Sequence, residues 1–304
     1  MNQIVILSGK GGTGKTCLSA AFAHLASGAG PNILVDADVD AANLELLLKA
    51  QRVRTEPFMG GSAAIIDHSR CSGCGTCWEV CRFDAVLQLD GEYSIDPVAC
   101  DGCAACLYTC PEEAISLETG QAGEWYISET DYGRFFHAHL YPAQENSGKL
   151  VALIKRQARE AVEKIKGELI LVDGPPGIGC PVISAISGAD VVLIVTEPSL
   201  AGIHDLKRVL KTVDYFQLPA WVCINKADLY PEGSDQIKDL CQREGIPLLG
   251  EVSYDLIIPQ AMSAGEPVTL YAPDSKAALE IKDIWDKARQ KLKESQPARN
   301  LIQF

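Results

Sequence analysis

The 304-residue sequence has a shortage of basic side chains. It contains 27 lysines and arginines against 40 aspartates and glutamates, for a net charge of −13. Proteins that bind DNA or an anionic membrane surface are typically basic, so this balance argues against both partners. No apolar run approaches the length of a membrane-spanning helix, and the N-terminus lacks the basic segment of a signal peptide. We therefore expect a cytoplasmic protein that binds no nucleic acid and does not insert stably into a membrane.

The composition is that of a folded protein with two domains, or of one large domain that carries an insertion. Hydrophobic residues make up 47% and charged residues 22%, which excludes a disordered chain. Twelve cysteines are present, and eight of them fall in two short runs. In a chain long enough to build a core without disulfides, such crowding indicates metal ligation in a reducing compartment.

Short apolar runs alternate with helical patterns along most of the chain. This alternation predicts an α/β fold with a mostly parallel sheet flanked by helices. A hairpin is predicted around Asp131, and a C-terminal amphipathic helix is predicted for 277–292. The runs interpreted as buried strands are 4–7, 32–35, 169–172, 191–195 and 221–224.

The segment 63–119 interrupts this alternation and contains an internal repeat with an offset of 29 residues. Ile66 matches Ile95, and the cysteine run 71–81 matches the run 100–110. A duplicated cysteine unit is a module in its own right. We therefore predict a small α+β domain at 63–119, inserted into a larger domain formed by 1–62 and 120–304.

Each cysteine run has the spacing C-x₂-C-x₂-C-x₃-C, which is that of bacterial ferredoxins with two [4Fe–4S] clusters. Three close cysteines wrap one cluster, while the fourth lies too far round and binds the other cluster. Zinc sites typically pair C-x₂-C units across a longer gap. The predicted ligands are Cys71, Cys74, Cys77 and Cys110 for cluster I, and Cys100, Cys103, Cys106 and Cys81 for cluster II.

The segment 9–16 fits the phosphate-loop pattern G-x-x-x-x-G-K-[ST] between a predicted strand and a predicted helix. Its glycines let backbone N–H groups turn toward phosphate oxygens. Lys15 is predicted to reach the β- and γ-phosphates, and Thr16 to place its hydroxyl on Mg²⁺. The other predicted nucleotide-binding residues here are Gly11, Gly12, Thr13, Gly14 and Cys17, the last also being interpretable as a small packed residue.

A second lysine, Lys10, lies five residues before Lys15. With this lysine the loop resembles that of the deviant-Walker ATPases, which include the MinD and ParA proteins, the Mrp-type cluster carriers and the nitrogenase iron protein. The resemblance implies that Lys10 reaches the nucleotide of the other subunit in an ATP-dependent homodimer. The whole chain is similar to MinD-superfamily ATPases that contain an inserted ferredoxin domain.

The resemblance also implies roles for residues beyond the phosphate loop. Asp38 would position the attacking water in a first switch segment and help to hold Mg²⁺, and Asp40 is the competitor for the first role. Asp173 would hold a water bound to Mg²⁺. Gly177, in the second switch segment, would offer its N–H to the γ-phosphate, and Asn225 would bind adenine.

Cys180 lies seven residues after Asp173, where the nitrogenase iron protein has a ligand of a cluster shared by two subunits. That site needs a second cysteine from each subunit, and 120–172 contains none. We therefore interpret Cys180 as a structural or redox-sensitive thiol, with a shared cluster as the alternative.

Three functions are compatible with these motifs, and all use ATP or ADP, Mg²⁺ and two [4Fe–4S] clusters. The first is an ATPase whose nucleotide state controls electron transfer to an unidentified redox or iron–sulfur protein. The second is an iron–sulfur cluster carrier, and the third is a MinD-like positioning ATPase whose clusters sense redox state. The complete ferredoxin pattern favours the first.

Overall fold

The computed structural model describes residues 1–28, 30–142 and 147–294. The described chain divides into two compact units. Of the described residues, the first unit comprises 1–28, 30–55, 126–138 and 147–294, and the second comprises 56–125 and 139–142. The predicted inserted domain, 63–119, falls inside the second unit, which extends beyond it at both ends.

Within the described ranges, nine strands form one sheet in the order β11-β10-β9-β1-β8-β2-β7-β6-β3. The six pairs from β11 to β7 are parallel. The boundaries between the two units fall within β3, β6 and β7. The strands are β1 Asn2–Ser8, β2 Asn32–Asp36, β3 Gln51–Ile66, β6 Ile115–Thr130, β7 Gly133–Leu140, β8 Leu169–Pro176, β9 Val191–Thr196, β10 Ala220–Asn225 and β11 Leu248–Val252.

Helices pack around the first unit's part of this sheet. The C-terminal helix predicted for 277–292 is confirmed, and it extends over Lys276–Glu294 (α11). No described helix is both long and apolar enough to cross a membrane. The helices of this unit are α1 Lys15–Ser27, α2 Leu44–Leu47, α5 Ser147–Lys164, α6 Cys180–Ile186, α7 Leu200–Tyr215, α8 Pro231–Glu244, α9 Ile257–Ser263, α10 Val268–Tyr271 and α11 Lys276–Glu294.

The central strands are buried on both faces, as expected for a parallel sheet between helices. All five predicted apolar runs are strands, and their core residues, such as Ile4, Leu34 and Val172, are inaccessible to solvent. The segments that follow β1, β2, β8 and β10 lie at the carboxyl ends of these strands. Ligands bind at this edge in open α/β folds, so the sheet brings the predicted nucleotide-binding motifs together.

The second unit contains a small hairpin and two short helices. Strands β4 (Val86–Leu89) and β5 (Glu92–Ile95) pair in antiparallel fashion, and the helices are α3 (Thr76–Val80) and α4 (Ala105–Thr109).

The predicted repeat of 29 residues is present in the hydrogen bonds of this unit. The N–H of Asp67 donates to the Ala114 carbonyl over 2.7 Å, and the N–H of Asp96 donates to the Ala85 carbonyl over 2.8 Å. The two donors, 67 and 96, are 29 residues apart, and so are the two acceptors, 85 and 114. The second bond is therefore the repeat equivalent of the first. Each half of the repeat therefore closes its backbone onto the other half, as a duplicated module should.

Candidate functional site

A cavity of about 890 Å³ opens at the carboxyl ends of the first unit's parallel strands. It is lined by the phosphate loop, by the segment after β2 and by residues near α9. The predicted site residues among its lining are Gly11, Gly12, Thr13, Gly14, Lys15, Thr16, Cys17, Asp38 and Asn225, together with the competitor Asp40.

The carboxylate of Asp173 accepts hydrogen bonds from three side chains next to this cavity. It accepts hydrogen bonds from Lys15 Nζ over 2.9 Å and from Thr16 Oγ1 over 2.8 Å. Ser19 Oγ, one helical turn after Lys15, donates to the same carboxylate over 2.7 Å. Burial alone would lower the pKa of Lys15, but the carboxylates of Asp173, Asp36 and Asp38 outweigh burial and raise it. Lys15 is therefore firmly cationic at the place where phosphate charge would be bound.

The predicted first switch segment, residues 36–40, begins with Asp36. This side chain is buried and accepts hydrogen bonds from the N–H of Asp38 over 3.0 Å and from the N–H of Leu44 over 3.1 Å. Burial, followed by the nearby Asp173, raises the pKa of Asp36. The sequence motif contains Asp36, but spacing alone assigned no role to it.

Asp38 and Asp40 both line the cavity, but their surroundings differ. Asp38 is half-buried, and its Oδ2 lies 4.0 Å from Lys15 Nζ. Burial raises the pKa of Asp38 to about 6, with Lys15 opposing the shift and Asp173 adding to it. Asp40 is exposed. Of the two carboxylates, Asp38 therefore lies beside the lysine that is predicted to bind the phosphates.

Lys10, the second residue of the phosphate loop, pairs with the acidic side chain of Glu197. Its Nζ is 2.5 Å from Glu197 Oε1. Lys226 Nζ approaches the other oxygen of Glu197 at 3.5 Å and donates to the Gly12 carbonyl over 3.0 Å. Glu197 and Lys226 were not predicted as site residues, because they meet the loop only through the order of strands in the sheet.

Two residues that are predicted to contact the nucleotide donate hydrogen bonds to backbone carbonyls in this structure. Asn225, predicted to bind adenine, donates from Nδ2 to the Thr13 carbonyl over 2.7 Å and accepts from the Lys226 N–H. Its amide supports the phosphate loop, and a Cβ at Gly14 would lie 2.1 Å from this Nδ2. Gly177, predicted to offer its N–H to the γ-phosphate, donates that N–H to the Ser8 carbonyl over 2.9 Å.

The eight cysteines of the two runs line two separate cavities in the second unit. Cys71, Cys74, Cys77 and Cys110 line one cavity, and Cys81, Cys100, Cys103 and Cys106 line the other. This grouping is the one predicted for clusters I and II, including the exchange of the fourth cysteine. Within the described residues, no three or more His, Cys, Asp or Glu side chains form a group suited to a metal ion.

Backbone N–H groups are directed at two of these sulfurs. Ala64 N–H donates to Cys100 Sγ over 3.4 Å, and Ala114 N–H donates to Cys110 Sγ over 3.3 Å. Hydrogen bonds to sulfur are one of the means by which proteins tune iron–sulfur ligation. Cys180 is exposed at the start of α6 in the first unit.

Several known proteins are similar to this chain, some over nearly its whole length and some over about half of it. A protein of uncharacterised function from Methanocaldococcus jannaschii is 31% identical over 291 residues, which are 95% of this chain and 96% of that protein. The septum site-determining protein MinD of Bacillus subtilis is 25% identical over 97% of this chain and 90% of its own length. An iron–sulfur cluster carrier protein of Pyrococcus abyssi is 26% identical over 47% of this chain and 53% of its own length.

The fold and the family are both shown by these comparisons. The structure of septum site-determining protein MinD with Mg-ADP, from Pyrococcus horikoshii, has a TM-score of 0.59 at 18% identity and covers 96% of this chain and 97% of that chain. Such a likeness shows the fold alone. The family model described as CobQ/CobB/MinD/ParA nucleotide binding domain matches residues 4–268. The chain therefore belongs to the CobQ/CobB/MinD/ParA nucleotide-binding domain family.

Proposed function

We propose that the protein binds and hydrolyses Mg-ATP as a homodimer, and that its nucleotide state controls electron transfer through two [4Fe–4S] clusters. The ATPase part rests on one observation: Lys15 and Thr16 of the phosphate loop both donate hydrogen bonds to the Asp173 carboxylate. The observation that supports the clusters is the separation of the eight cysteines into two cavities with four cysteines each.

The residues of the cavity suit phosphoryl transfer to water. Lys15 would exchange its contact with Asp173 for the β- and γ-phosphate oxygens, where its positive charge opposes the charge of the transition state. Asp38, with a pKa of about 6, is mainly ionised at neutral pH and is suited to accept a hydrogen bond from the attacking water. We therefore assign the water-positioning role to Asp38 rather than to the exposed Asp40.

A magnesium ion fits the oxygen atoms at the base of the loop. Thr16 Oγ1 and a carboxylate oxygen of Asp173 lie 2.8 Å apart and are the kind of ligands that Mg²⁺ prefers, directly or through water. Asp38 is a further candidate through water. Bound there, the ion would neutralise charge on the β- and γ-phosphates.

The second unit supplies the number and grouping of thiols that two iron–sulfur clusters need. A cubane cluster takes four thiolates, and four cysteines line each of the two cavities. This grouping, and not a preformed set of ligands, supports the proposal. Bound clusters would supply one-electron redox chemistry.

Dimerisation would require Lys10 to leave Glu197. We expect Lys10→Ala to abolish ATP-dependent dimerisation, because the lysine that reaches the second subunit's nucleotide is lost. Glu197→Gln is the matched variant, since it removes the charge that holds Lys10 but keeps the lysine, and it should still dimerise. Sedimentation velocity with and without Mg-ATP measures both. Normal dimerisation of Lys10→Ala would contradict the proposed role of Lys10.

The electron-transfer part is tested by an anaerobic redox titration followed by EPR, with and without Mg-ATP. Signals of two [4Fe–4S] clusters and a nucleotide-dependent shift of either potential would support the proposal. Two clusters whose potentials and coupling do not change, in a protein that dimerises with ATP, would overturn the control of electron transfer by nucleotide.

A cluster-carrier function is the second candidate, and it is favoured by the partial similarity to the cluster carrier proteins of Pyrococcus species. A carrier must release its cluster readily, whereas eight cysteines in a closed module should retain theirs. Incubation of the reconstituted protein with an apo-ferredoxin distinguishes the two. Rapid transfer that depends on ATP would favour the carrier, and retention would favour electron transfer.

A further inference from the structure

The short helix α2 connects the nucleotide cavity to a cluster of polar side chains on its other side. Leu46 and Leu47 line the cavity, and the N–H of Leu44 donates to the Asp36 carboxylate that shapes the first switch segment. Through this hydrogen bond a displacement of Asp36 on nucleotide binding would reach α2. Glu45 is the acidic side chain of this helix.

The Glu45 carboxylate contacts residues on two strands. Its Oε2 lies 3.0 Å from Arg52 Nη2 at the start of β3 and 3.4 Å from His137 Nδ1 on β7. The Arg52 guanidinium lies 4.1 Å above the ring of Tyr126 on β6. His137 Nε2 lies 2.9 Å from Ser128 Oγ, also on β6. One carboxylate thus ties α2 to β3, β6 and β7.

Hydrogen bonding and ring stacking hold His137 within this cluster. Its Nε2 shares a hydrogen bond with Ser128 Oγ, and the tautomer of the ring sets which of the two donates. Its Nδ1 faces the Glu45 carboxylate at 3.4 Å. His137 and Ser128 are buried, and the His137 ring stacks on Phe135 with a centroid distance of 4.5 Å. The side chains of this cluster contact one another closely, so none of them moves without its neighbours.

Each of the three strands at this cluster contains a boundary between the two compact units. The boundaries between the two compact units fall within β3 between residues 55 and 56, within β6 between 125 and 126, and within β7 between 138 and 139. Three of the chain's four passages between the units therefore run through strands that contact Glu45 or its partners. Arg52, Tyr126, Ser128 and His137 all lie on the first unit's side of these boundaries.

We propose that Glu45 is a positioning residue that couples nucleotide binding at the first switch segment to the strands β3, β6 and β7. The proposal rests on the proposed binding of Mg-ATP, but not on the presence of clusters. Nucleotide binding shifts α2, and the Glu45 carboxylate transmits the shift to Arg52 and His137. The same linkage makes the switch segment sensitive to the strands, because coupling between two sites is reciprocal.

Hydrogen–deuterium exchange of the full chain, with and without Mg-ATP, tests this coupling. In the wild type we expect Mg-ATP to change the exchange rates of amides in 126–137 by about fivefold or more, the lower end of typical coupling between sites. Glu45→Gln keeps the size of the side chain but removes the charge, and it should lose most of this nucleotide-dependent change. Glu129→Gln is the matched control, because Glu129 pairs with Arg134 on the same hairpin without contacting α2 in the contacts described.

The strand side of the cluster provides a second variant. His137→Phe keeps an aromatic ring on Phe135 but removes both ring nitrogens, and it should retain nucleotide affinity while losing the exchange response. Nucleotide affinity is measured separately with a fluorescent ATP analogue. A wild type that does not bind the analogue would contradict the proposed function. Binding with an unchanged exchange response in Glu45→Gln and His137→Phe would overturn the coupling role alone.

Discussion

The carboxylate of Asp173 accepts three side-chain hydrogen bonds from the first turns of α1, and two of the three donors follow from the phosphate-loop pattern. The third donor, Ser19, does not, because its role depends on a strand 154 residues further along the chain. Once Lys15 is assigned, helical spacing places Ser19 on the same face of α1. Its partner could be identified only from the sheet order that brings β8 beside β1.

Replacing Ser19 tests its contribution to the phosphate loop. We expect Ser19→Ala to lower the free energy of unfolding by about 2 kcal/mol, because a buried hydrogen bond to a charged group is lost. Ser27→Ala at the end of the same helix removes only a bond to the His24 carbonyl and should cost about 0.5 kcal/mol or less. Urea unfolding of the three proteins measures both. Equal effects of the two substitutions would contradict a special role for Ser19.

At the scale of elements, local patterns predicted the buried strands but not the contacts between distant segments. The parallel strands are apolar throughout, so their sequence identifies them. The first half of strand β3 has mostly exposed residues and no apolar run, and the 16 residues of β3 were not predicted as a strand. The pairs Lys10–Glu197, Asn225–Thr13 and Glu45–His137 join residues far apart in the chain, and no local pattern contains them.

Helix α6, which follows the second switch segment, is fixed at its C-terminal end by a buried lysine of α5. Lys155 Nζ donates to the carbonyls of Ser184 and Ser187 over 2.9 Å each, and also to the carbonyl of Ala185. Burial lowers the pKa of Lys155 to about 7. Three carbonyls at a helix C-terminus otherwise lack intrahelical partners, so this side chain serves as a cap.

Removal of this cap should destabilise the first unit. We expect Lys155→Met to lower the free energy of unfolding by about 2 kcal/mol, because the buried Ala185 carbonyl loses this donor, whereas the Ser187 carbonyl still accepts from Arg159. Arg156→Met, at an exposed position of the same helix, is the matched control and should change stability by about 0.5 kcal/mol or less. Thermal and urea unfolding measure the difference. If the two variants were equally stable, the capping role of Lys155 would be wrong.

The hairpin of β6 and β7 should make stability depend on pH through His137. Burial lowers the pKa of His137 from 6.5 to about 4, with Glu45 opposing the shift and Arg52 adding to it. Between these values the unfolded chain binds a proton that the folded chain does not, so stability falls as the pH decreases from 6.5 toward 4. At pH 5 the loss amounts to about 2 kcal/mol relative to pH 7.5.

Urea unfolding of the wild type and His137→Phe at pH 7.5 and pH 5 isolates this effect, because other titrating groups contribute to both proteins. The wild type should lose about 2 kcal/mol more than the variant between the two pH values. A difference of the opposite sign would mean that His137 is protonated in the folded protein and pairs with Glu45 as a cation.

At the scale of the whole molecule, the two units differ in how much apolar core they contain. One core cluster of the first unit has thirty buried residues, from Ile4 to Leu292. Among the described residues, the cluster in the second unit has six, one of which is Cys77, and five more cysteines of the two runs pack beside it. Small domains with so little core usually depend on metals or disulfides, and the described cysteines form no disulfide. The proposed iron–sulfur clusters would therefore hold the second unit together.

Removal of iron should consequently unfold one unit and spare the other. After anaerobic chelation of the reconstituted protein, we expect amide exchange in 67–114 to rise to the rates of an unfolded chain, while β1 and α1 stay protected and still bind nucleotide. Cys74→Ala, which removes a predicted ligand, should have the same local effect without a chelator. Cys241→Ala is the matched control, because this buried thiol lies on α8, outside both runs. Full protection of 67–114 in protein shown to contain no iron would mean that the six-residue core suffices, and the clusters would then serve only as redox groups.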